Sequence, residues 1–306
     1  MEKIVIVEGG FSNEREISLI SANEIFKTLT ISNYECYKID PANFTSVDDF
    51  LQSIRKHNPM IIFNALHGGD GENGNIQALF ELAKLPFTGS GSLASKIAMD
   101  KYISKLVAQD LSIPTPKGII IEKDSSLQEI KLNFPPPYIV KPINGGSSVG
   151  ISKVEDIKNL PQAIKLALQH DDKVMIEEFI PGKEITVTIL GDQTYPVIEV
   201  RPKNGWYDYQ NKYTHGKTEY ICPAEISVNN SSKVQKMAYS FFKRISAKAY
   251  GRVDFRFDGK EFYFLEANTL PGMTSLSLTP MAVKSKGIDF KTLLIKIIEL
   301  SLKEES

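Results

Sequence analysis

The sequence predicts an α/β and α+β protein that opens on a parallel sheet and continues into a second region of strands, helices and a hairpin. Three observations carry this. In the N-terminal third, short apolar runs alternate with amphipathic stretches, the pattern of an open parallel α/β sheet whose ligands lie beyond the carboxyl ends of its strands. From about Met99 the character changes to Lys-rich and Pro-punctuated segments, with strands separated by polar turns and a closing hairpin. The length, 306 residues, corresponds to about two domains at roughly 150 residues each and supports a core that folds without covalent staples.

Taken in order, Lys3 to Val7 is a short buried strand, Gly9-Gly10 the turn after it, and Ser12 or Asn13 the cap of a helix through Ile17, Ile20, Ile25 and Leu29. A strand from Glu35 to Ile39, a helix from Phe50 to Lys56, and a buried strand from Met60 to Leu66 follow. The loop His67 to Asn75 leads into a helix from Ile76 to Lys84, and a further helix runs from Lys101 to Gln109. Pro114 and Pro116 precede a strand, Gly118 to Glu122, and the prolines 135 to 137 mark the entry to the strand Tyr138 to Lys141. After the loop Asn144 to Gly150 come a returning strand (Ile151 to Val154) and a helix (Ile157 to Gln169). Strands at Val174 to Ile180, Glu184 to Leu190 and Tyr195 to Arg201 lead to a polar, aromatic loop from Asn204 to Glu219. A helix (Lys233 to Ala249), a hairpin (Gly251 to Phe257 with Glu261 to Glu266) and a helix from Phe290 to Leu302 complete the chain.

Composition excludes several classes. Lys+Arg 36 against Asp+Glu 37 gives a net charge of -1, without the basic excess that binding to a nucleic-acid backbone requires, so no nucleic-acid partner is expected. No apolar run reaches membrane-spanning length, and the N-terminus lacks the apolar core and small-residue cleavage site of a signal peptide. Cys36 and Cys222 stand alone, without metal-ligand spacing, as expected of two reduced thiols in a cytoplasmic protein.

Four segments are too polar to be explained by packing. In Lys141 to Gly150, glycines free backbone N–H groups to form an anion nest, Ser147 and Ser148 add hydroxyls, and Lys141 supplies charge; the pattern suits a polyphosphate, although a plain hairpin turn has the same composition. It is neither a Walker A loop nor a GxGxxG fingerprint, and the absence of the latter from the first strand-turn-helix argues against a dinucleotide oxidoreductase. In the hairpin, period-2 spacing sets Arg252, Asp254 and Arg256 on one face and Glu266 with Asn268 on one face of the next strand. Two carboxylates and an amide oxygen facing a common point are hard ligands for Mg2+; a cross-strand ion pair is the alternative. Glu177-Glu178-Phe179-Ile180, with Glu184 just beyond, offers acids and a backbone edge for a base and ribose, or a merely solvated acidic pair. The loop Trp206 to Tyr213 is too aromatic for a linker and too polar for core, as in lids that exclude water.

These residues carry a resemblance. Gly9 to Leu19 (GGFSNEREISL), His67 to Gly74 (HGGDGENG), Lys141-Pro with Gly146 to Gly150 (GSSVG), Tyr207 to Tyr213 (YDYQNKY) and Leu265 to Thr274 (LEANTLPGMT) are similar, in order and across the whole chain, to the D-alanine–D-alanine ligase family of the ATP-grasp superfamily. The resemblance implies an N-terminal open parallel α/β domain (1–98) followed by a two-lobed ATP-grasp fold, with a central lobe (99–183) and a C-terminal lobe bearing the lid loop (184–306). Three lobes of roughly a hundred residues then replace the two domains suggested by length. It also implies ATP-dependent joining of two D-alanines through an acyl phosphate, for peptidoglycan precursors.

By the same resemblance, Lys101 and Lys141, with Ser147 and Ser148, meet the ATP phosphates, and Lys212 approaches the γ-phosphate. Glu177, Glu178, Phe179, Ile180 and Glu184 surround adenine and ribose. Asp254, Glu266 and Asn268 hold two Mg2+ (or Mn2+) ions. Glu14 binds the first ammonium and forms a triad with Ser147 and Tyr213. His67 lies near the first substrate, unless it only caps a helix or bonds backbone. Arg252 and the Gly272 N–H stabilise the oxyanion, and Ser277 and Leu278 receive the second carboxylate. The pair Lys212-Tyr213 implies D-alanine rather than D-lactate as second substrate, and a homodimer is implied as well. Two residues depart from the family pattern: Asn73 stands where an Asp is usual, and Leu276 where a polar residue is common. A non-catalytic nucleotide-binding scaffold on the same fold would have lost a metal carboxylate or a phosphate lysine, and all are present.

Overall fold

The computed structural model describes residues 1–125, 130–146, 149–203, 217–274 and 277–303. Its first unit is β1 (Lys3–Val7), α1 (Arg15–Thr30), β2 (Glu35–Ile39), α2 (Val47–Arg55), β3 (Ile61–Asn64), α3 (Asn75–Ala83) and α4 (Ser92–Met99). The strands pair in parallel in the order β2-β1-β3. β1 is apolar on both faces because both are covered: Ile4 and Ile6 pack into one core, Val5 and Val7 into another with Phe50, Ile54 and Phe80.

The second unit comprises α5 (Lys101–Asp110), β4 (Gly118–Glu122), β5 (Tyr138–Pro142), β6 (Ser152–Val154), α6 (Leu160–Ala167) and β7 (Lys173–Glu178). Its antiparallel sheet runs β4-β7-β5-β6. The third consists of β8 (Lys183–Leu190), β9 (Gln193–Thr194), β10 (Ile198–Pro202), β11 (Thr218–Ile221), α7 (Val228–Arg244), β12 (Tyr250–Phe257), β13 (Phe262–Asn268), α8 (Leu278–Lys284) and α9 (Phe290–Lys303). Its antiparallel sheet has the order β11-β10-β8-β12-β13, with β9 paired to β8.

The strands of the sequence reading recur with ends shifted by a few residues, whereas α4, α8, β9 and β11 were not foreseen. Helix α7 starts earlier than expected because Ser227 caps it, its side chain accepting the Asn230 N–H at 3.2 Å. Helix α1 starts at Arg15 with Glu14 in the cap position; Ser12 is not the cap but accepts the Glu14 N–H at 3.1 Å.

The cores divide the chain differently from the three expected lobes. Ile4, Ile25, Leu29 and Phe63 of the first unit share one core with Leu190, Tyr250, Leu293, Leu294 and Ile297 of the third. Ala94, Ala98, Ala108 and Ile113 pack with Ile185, Phe241, Phe255 and Phe264, so α4 and α5 lie on the third unit's sheet. The second unit keeps a core of its own, from Ile121 and Phe134 to Val174 and Ile176.

Candidate active site

A cleft of about 630 Å3 opens where the units meet, lined by Glu14, His67, Lys101, Gly145, Gly146, Glu184, Arg252, Asp254, Glu266, Asn268, Gly272, Ser277 and Leu278 among others. Residues from the start of α1, the turn after β3, α5, the loop after β5 and the β12–β13 hairpin thus meet at one surface.

The first wall is built on two tight turns. Gly9 and Gly10 both have positive φ, 75° and 76°, and the turn is pinned by side chains: the Gly9 N–H donates to Ser18 Oγ at 2.8 Å and the Gly10 N–H to Asp40 Oδ1 at 3.0 Å. Arg15 closes it through Asp40 at 2.5 Å. Burial alone would raise the Asp40 carboxyl; Arg15 and the N–H groups of Gly10 and Ala42 overrule it and hold it below the usual range. This frame delivers Glu14 to the cleft. A Cβ on Gly68 would lie 2.6 Å from Glu14 Oε2 and one on Gly146 3.4 Å from it, so the acid sits against both the His-Gly turn and the loop after β5.

His67 is buried and held from two sides, Nε2 3.0 Å from Ser21 Oγ and Nδ1 3.6 Å from Glu72 Oε1. It therefore neither caps a helix nor spends its ring on backbone. Asn73 lies one residue before the cap position of α3, which Gly74 holds, and its Oδ1 accepts the Asn75 N–H at 3.0 Å in a local turn. At the far wall, Ser277 precedes α8 and its Oγ accepts the Thr274 N–H at 3.1 Å. A Cβ on Gly272 would come within 3.1 Å of that Oγ and 3.9 Å of His67 Cε1, so His67, Gly272 and Ser277 converge.

The hairpin gathers the charged groups as period 2 requires. Asp254 stands opposite Glu266 and Arg252 opposite Asn268, with a register shift just after Asp254. Arg252 grips Asp254 with two N–H groups, Nε to Oδ1 at 2.9 Å and Nη2 to Oδ2 at 2.9 Å, and Thr186 Oγ1 donates to Oδ1 at 2.6 Å. Lys101 Nζ lies 3.2 Å from Glu266 Oε2 and donates to the Gly145 carbonyl at 2.6 Å. The Asn268 side-chain oxygen accepts the Leu270 N–H at 2.7 Å. The ion pair of Asp254 lies within β12, with Arg252, rather than across the strands, and Glu266 pairs with Lys101 of α5; these oxygens are hard donors of the kind a divalent cation takes beside phosphate. Among the described residues no group of three His, Cys, Asp or Glu side chains gathers. A cation here would thus be shared between two carboxylates, an amide and a phosphate ligand, and the donor set fits it.

The nucleotide-facing acids need correction. Glu177 does not present its carboxylate to the cleft: Oε1 lies 2.7 Å from Lys105 Nζ and Oε2 2.6 Å from Lys141 Nζ, and all three side chains are buried. Burial favours a protonated Glu177, but the two lysines prevail and its pKa is lowered; burial pushes Lys105 down to about 8. Removing the carboxylate of such a cluster would cost roughly 3–5 kcal/mol, because buried ammonium charge would be left unpaired out of water. Lys141 is thereby drawn behind the cleft wall. Glu178 Oε1 accepts the Lys117 N–H at 2.9 Å. The Phe179 N–H donates to the Pro137 carbonyl at 3.0 Å and its ring packs 4.3 Å from Lys153 Nζ. The Ile180 carbonyl accepts from Arg256 Nε at 3.1 Å. Arg256, whose pKa burial lowers, also lies 3.6 Å from Glu184, and Glu184 alone of these acids lines the cleft. Ser147, Ser148, Lys212, Tyr213, Leu276 and the aromatic loop around Trp206 lie outside the described residues.

Sequence reasoning missed Thr186, Glu72, Ser21 and Lys105. Only Lys105 left a signal, since it stands four residues after Lys101 and so on the same face of α5.

Known proteins match this chain over nearly its whole length. Residues 38–90 match the family model described as D-ala D-ala ligase N-terminus, and residues 107–299 the one described as D-ala D-ala ligase C-terminus. A D-alanine–D-alanine ligase from Nitrosospira multiformis is 40% identical over 302 residues, 98% of this chain and 96% of the relative. The crystal structure of the Bacillus anthracis D-alanine–D-alanine ligase superposes with a TM-score of 0.88 at 34% identity, covering 100% of both chains. The same enzyme complexed with ATP superposes at 0.86 and 31% identity, again over 100% of both. A C-terminal model covering most of the chain, a close full-length relative and a full-length structural match agree, and the parallel first sheet followed by two antiparallel ones is the expected ATP-grasp architecture: the chain belongs to the D-alanine–D-alanine ligase family.

Proposed function

We propose that this chain joins two D-alanines into D-alanyl-D-alanine at the expense of ATP, releasing ADP and phosphate, as a cytoplasmic homodimer that supplies cell-wall precursor. The observation that carries the reading is the convergence of Glu14, His67, Gly272 and Ser277 with Lys101, Arg252, Asp254 and Glu266 on one cleft.

The first D-alanine lies with its ammonium at Glu14 and its carboxylate toward Arg252. That carboxylate attacks the γ-phosphorus of ATP, ADP leaves, and an acyl phosphate forms. The amine of the second D-alanine, after losing a proton, attacks the acyl carbon; the tetrahedral oxyanion collapses and phosphate departs with the C–O electron pair. Lys101 and Arg252 supply the positive charge that phosphoryl transfer and the oxyanion need, and the Gly272 N–H would add a donor. Arg252 is held in position by its fork on Asp254. Ser277 and Leu278 lie where the second carboxylate would enter. Lys212 and Tyr213 of the lid, with Ser147, complete the site by family resemblance. Glu184 would meet the ribose, since of these acids it is the one that lines the cleft. Asp254, Glu266 and Asn268 would hold Mg2+ or Mn2+, which when bound neutralises phosphate charge. Most of the catalytic gain is then positioning and preorganised charge.

The test measures phosphate release with ATP and D-alanine, then with D-alanine plus D-lactate or D-serine, and identifies the products. D-Alanyl-D-alanine is expected as the main product in every mixture at neutral pH. A depsipeptide or a mixed dipeptide as the main product would overturn the assignment of the second substrate, and no D-alanine-dependent phosphate release would overturn the reaction.

A further inference from the structure

Behind the cleft wall lies the most buried ionic cluster of the structure's described residues, and the catalytic reading uses only part of it. Glu177 on β7 is 2% exposed, Lys105 on α5 5% and Lys141 at the end of β5 6%. One carboxylate thus serves two ammonium groups, leaving a net positive charge out of water. The two lysines are not equivalent. Lys105 is anchored twice, to Glu177 and to the carbonyl of Phe264 at 3.2 Å, and so ties the second unit's sheet to β13, the strand that carries Glu266. Lys141 pairs with Glu177 and stands at the head of the loop whose Gly145 carbonyl holds Lys101.

We propose that Lys105 is a positioning residue of the phosphate site: it keeps the Glu177 carboxylate paired, so that Lys141 can leave that carboxylate and turn to the nucleotide phosphates. The inference rests on the reading that ATP binds in the cleft and that Lys141 meets its phosphates. A buried carboxylate with a single partner cannot release it without standing bare in a medium of low dielectric constant. With Lys105 fixed by a second acceptor, Glu177 keeps an ion pair whether Lys141 is present or gone. Without Lys105, Glu177 would retain Lys141 and compete with the phosphates for it. The exchange is a movement of one ammonium between two anions, with no proton or covalent bond changing hands.

The distinguishing experiment compares the wild type with Lys105→Met and with Lys105→Met/Glu177→Gln, in steady-state kinetics and in direct titration with ADP. For Lys105→Met the KM for ATP should rise about tenfold, with kcat at saturating ATP within about threefold and the KM for D-alanine unchanged. Removing the competing carboxylate as well should recover most of that loss, to within about threefold of wild type, and ADP affinity should follow the same order. A purely structural role for Lys105 would lower the melting temperature and kcat without selecting ATP, and the second substitution would not restore it. An ATP KM within twofold of wild type in Lys105→Met would overturn the proposal, as would a double variant no better than the single one. Should the single variant not fold, the double variant decides alone, because it removes one charge of each sign: an ATP KM more than tenfold above wild type then defeats the proposal. If the wild type itself shows no ATP- and D-alanine-dependent turnover, the functional reading has failed; normal turnover with an indifferent Lys105 defeats only this inference.

Discussion

At the scale of single residues, placement depends on which charge finds a partner first. Glu177 and Glu266 are both acids on strands near the nucleotide region, yet one is sealed between lysines and the other stays at the cleft surface beside Lys101. The sealed cluster ties stability to pH in a direction its shifts determine. The Glu177 pKa lies below its ordinary value of 4.5, so its contribution is complete above about pH 4.5 and is lost as pH falls through the lowered value. The Lys105 pKa is pushed down from 10.5 to about 8, so between these values the unfolded chain binds more protons than the folded one, and this group makes stability rise with pH across that window. Urea midpoints at pH 4, 7 and 9.5 should show an acid loss in the wild type. The alkaline rise should be smaller in Lys105→Met; equal slopes in the two proteins above pH 8 would contradict the assignment.

At the scale of elements, helix α5 joins fold and site. Asp100 caps it, accepting the N–H groups of Tyr102 and Ile103 at 3.0 and 2.9 Å, and the next two lysines along one face, Lys101 and Lys105, reach two different carboxylates. Asp100→Ala should cost about 1 kcal/mol of stability and raise the KM for ATP more than that for D-alanine, because Lys101 occupies the first helical position; thermal melts and paired KM measurements check both.

Elements such as this were legible where a local rule suffices. The hairpin with Arg252, Asp254, Glu266 and Asn268 could be read from period 2 alone, and β1 from its unbroken apolar run. Helix α4 could not: it is eight residues long, starts at a glycine, and is secured through Ser92 to the Glu81 carboxylate of α3, a partner that only tertiary structure supplies. The first turn of α7 is Asn- and Ser-rich and looks like loop, so its start was placed too late. Thr186 and Ser21 were invisible for the same reason, since each acts on a residue brought to it by long-range pairing. Glu177 was assigned to the nucleotide because its strand position is right; what sequence did not disclose is that two lysines lie close enough to claim it.

At the scale of the molecule, the three lobes are not three independent bodies. The first unit and the third share a core, and the Gly89 N–H donates to Ser301 of α9 at 3.1 Å, whereas the second unit packs around its own apolar centre. Native-state hydrogen exchange should therefore show β4 to β7 opening at a lower free energy than β1, β3, β12 and α9, with those four sharing one stability. Separate opening of β1 and β3 from α9 would contradict the shared core.

The seat of α9 also limits how the chain can be taken apart. A protein severed after Ala98 would leave Ile4, Ile25 and Phe63 without the Leu293, Leu294 and Ile297 that cover them, a sticky ridge prone to self-association. An exchange of the first unit between relatives would thus succeed only if the last helix travels with it, although nearly two hundred residues separate the two along the chain.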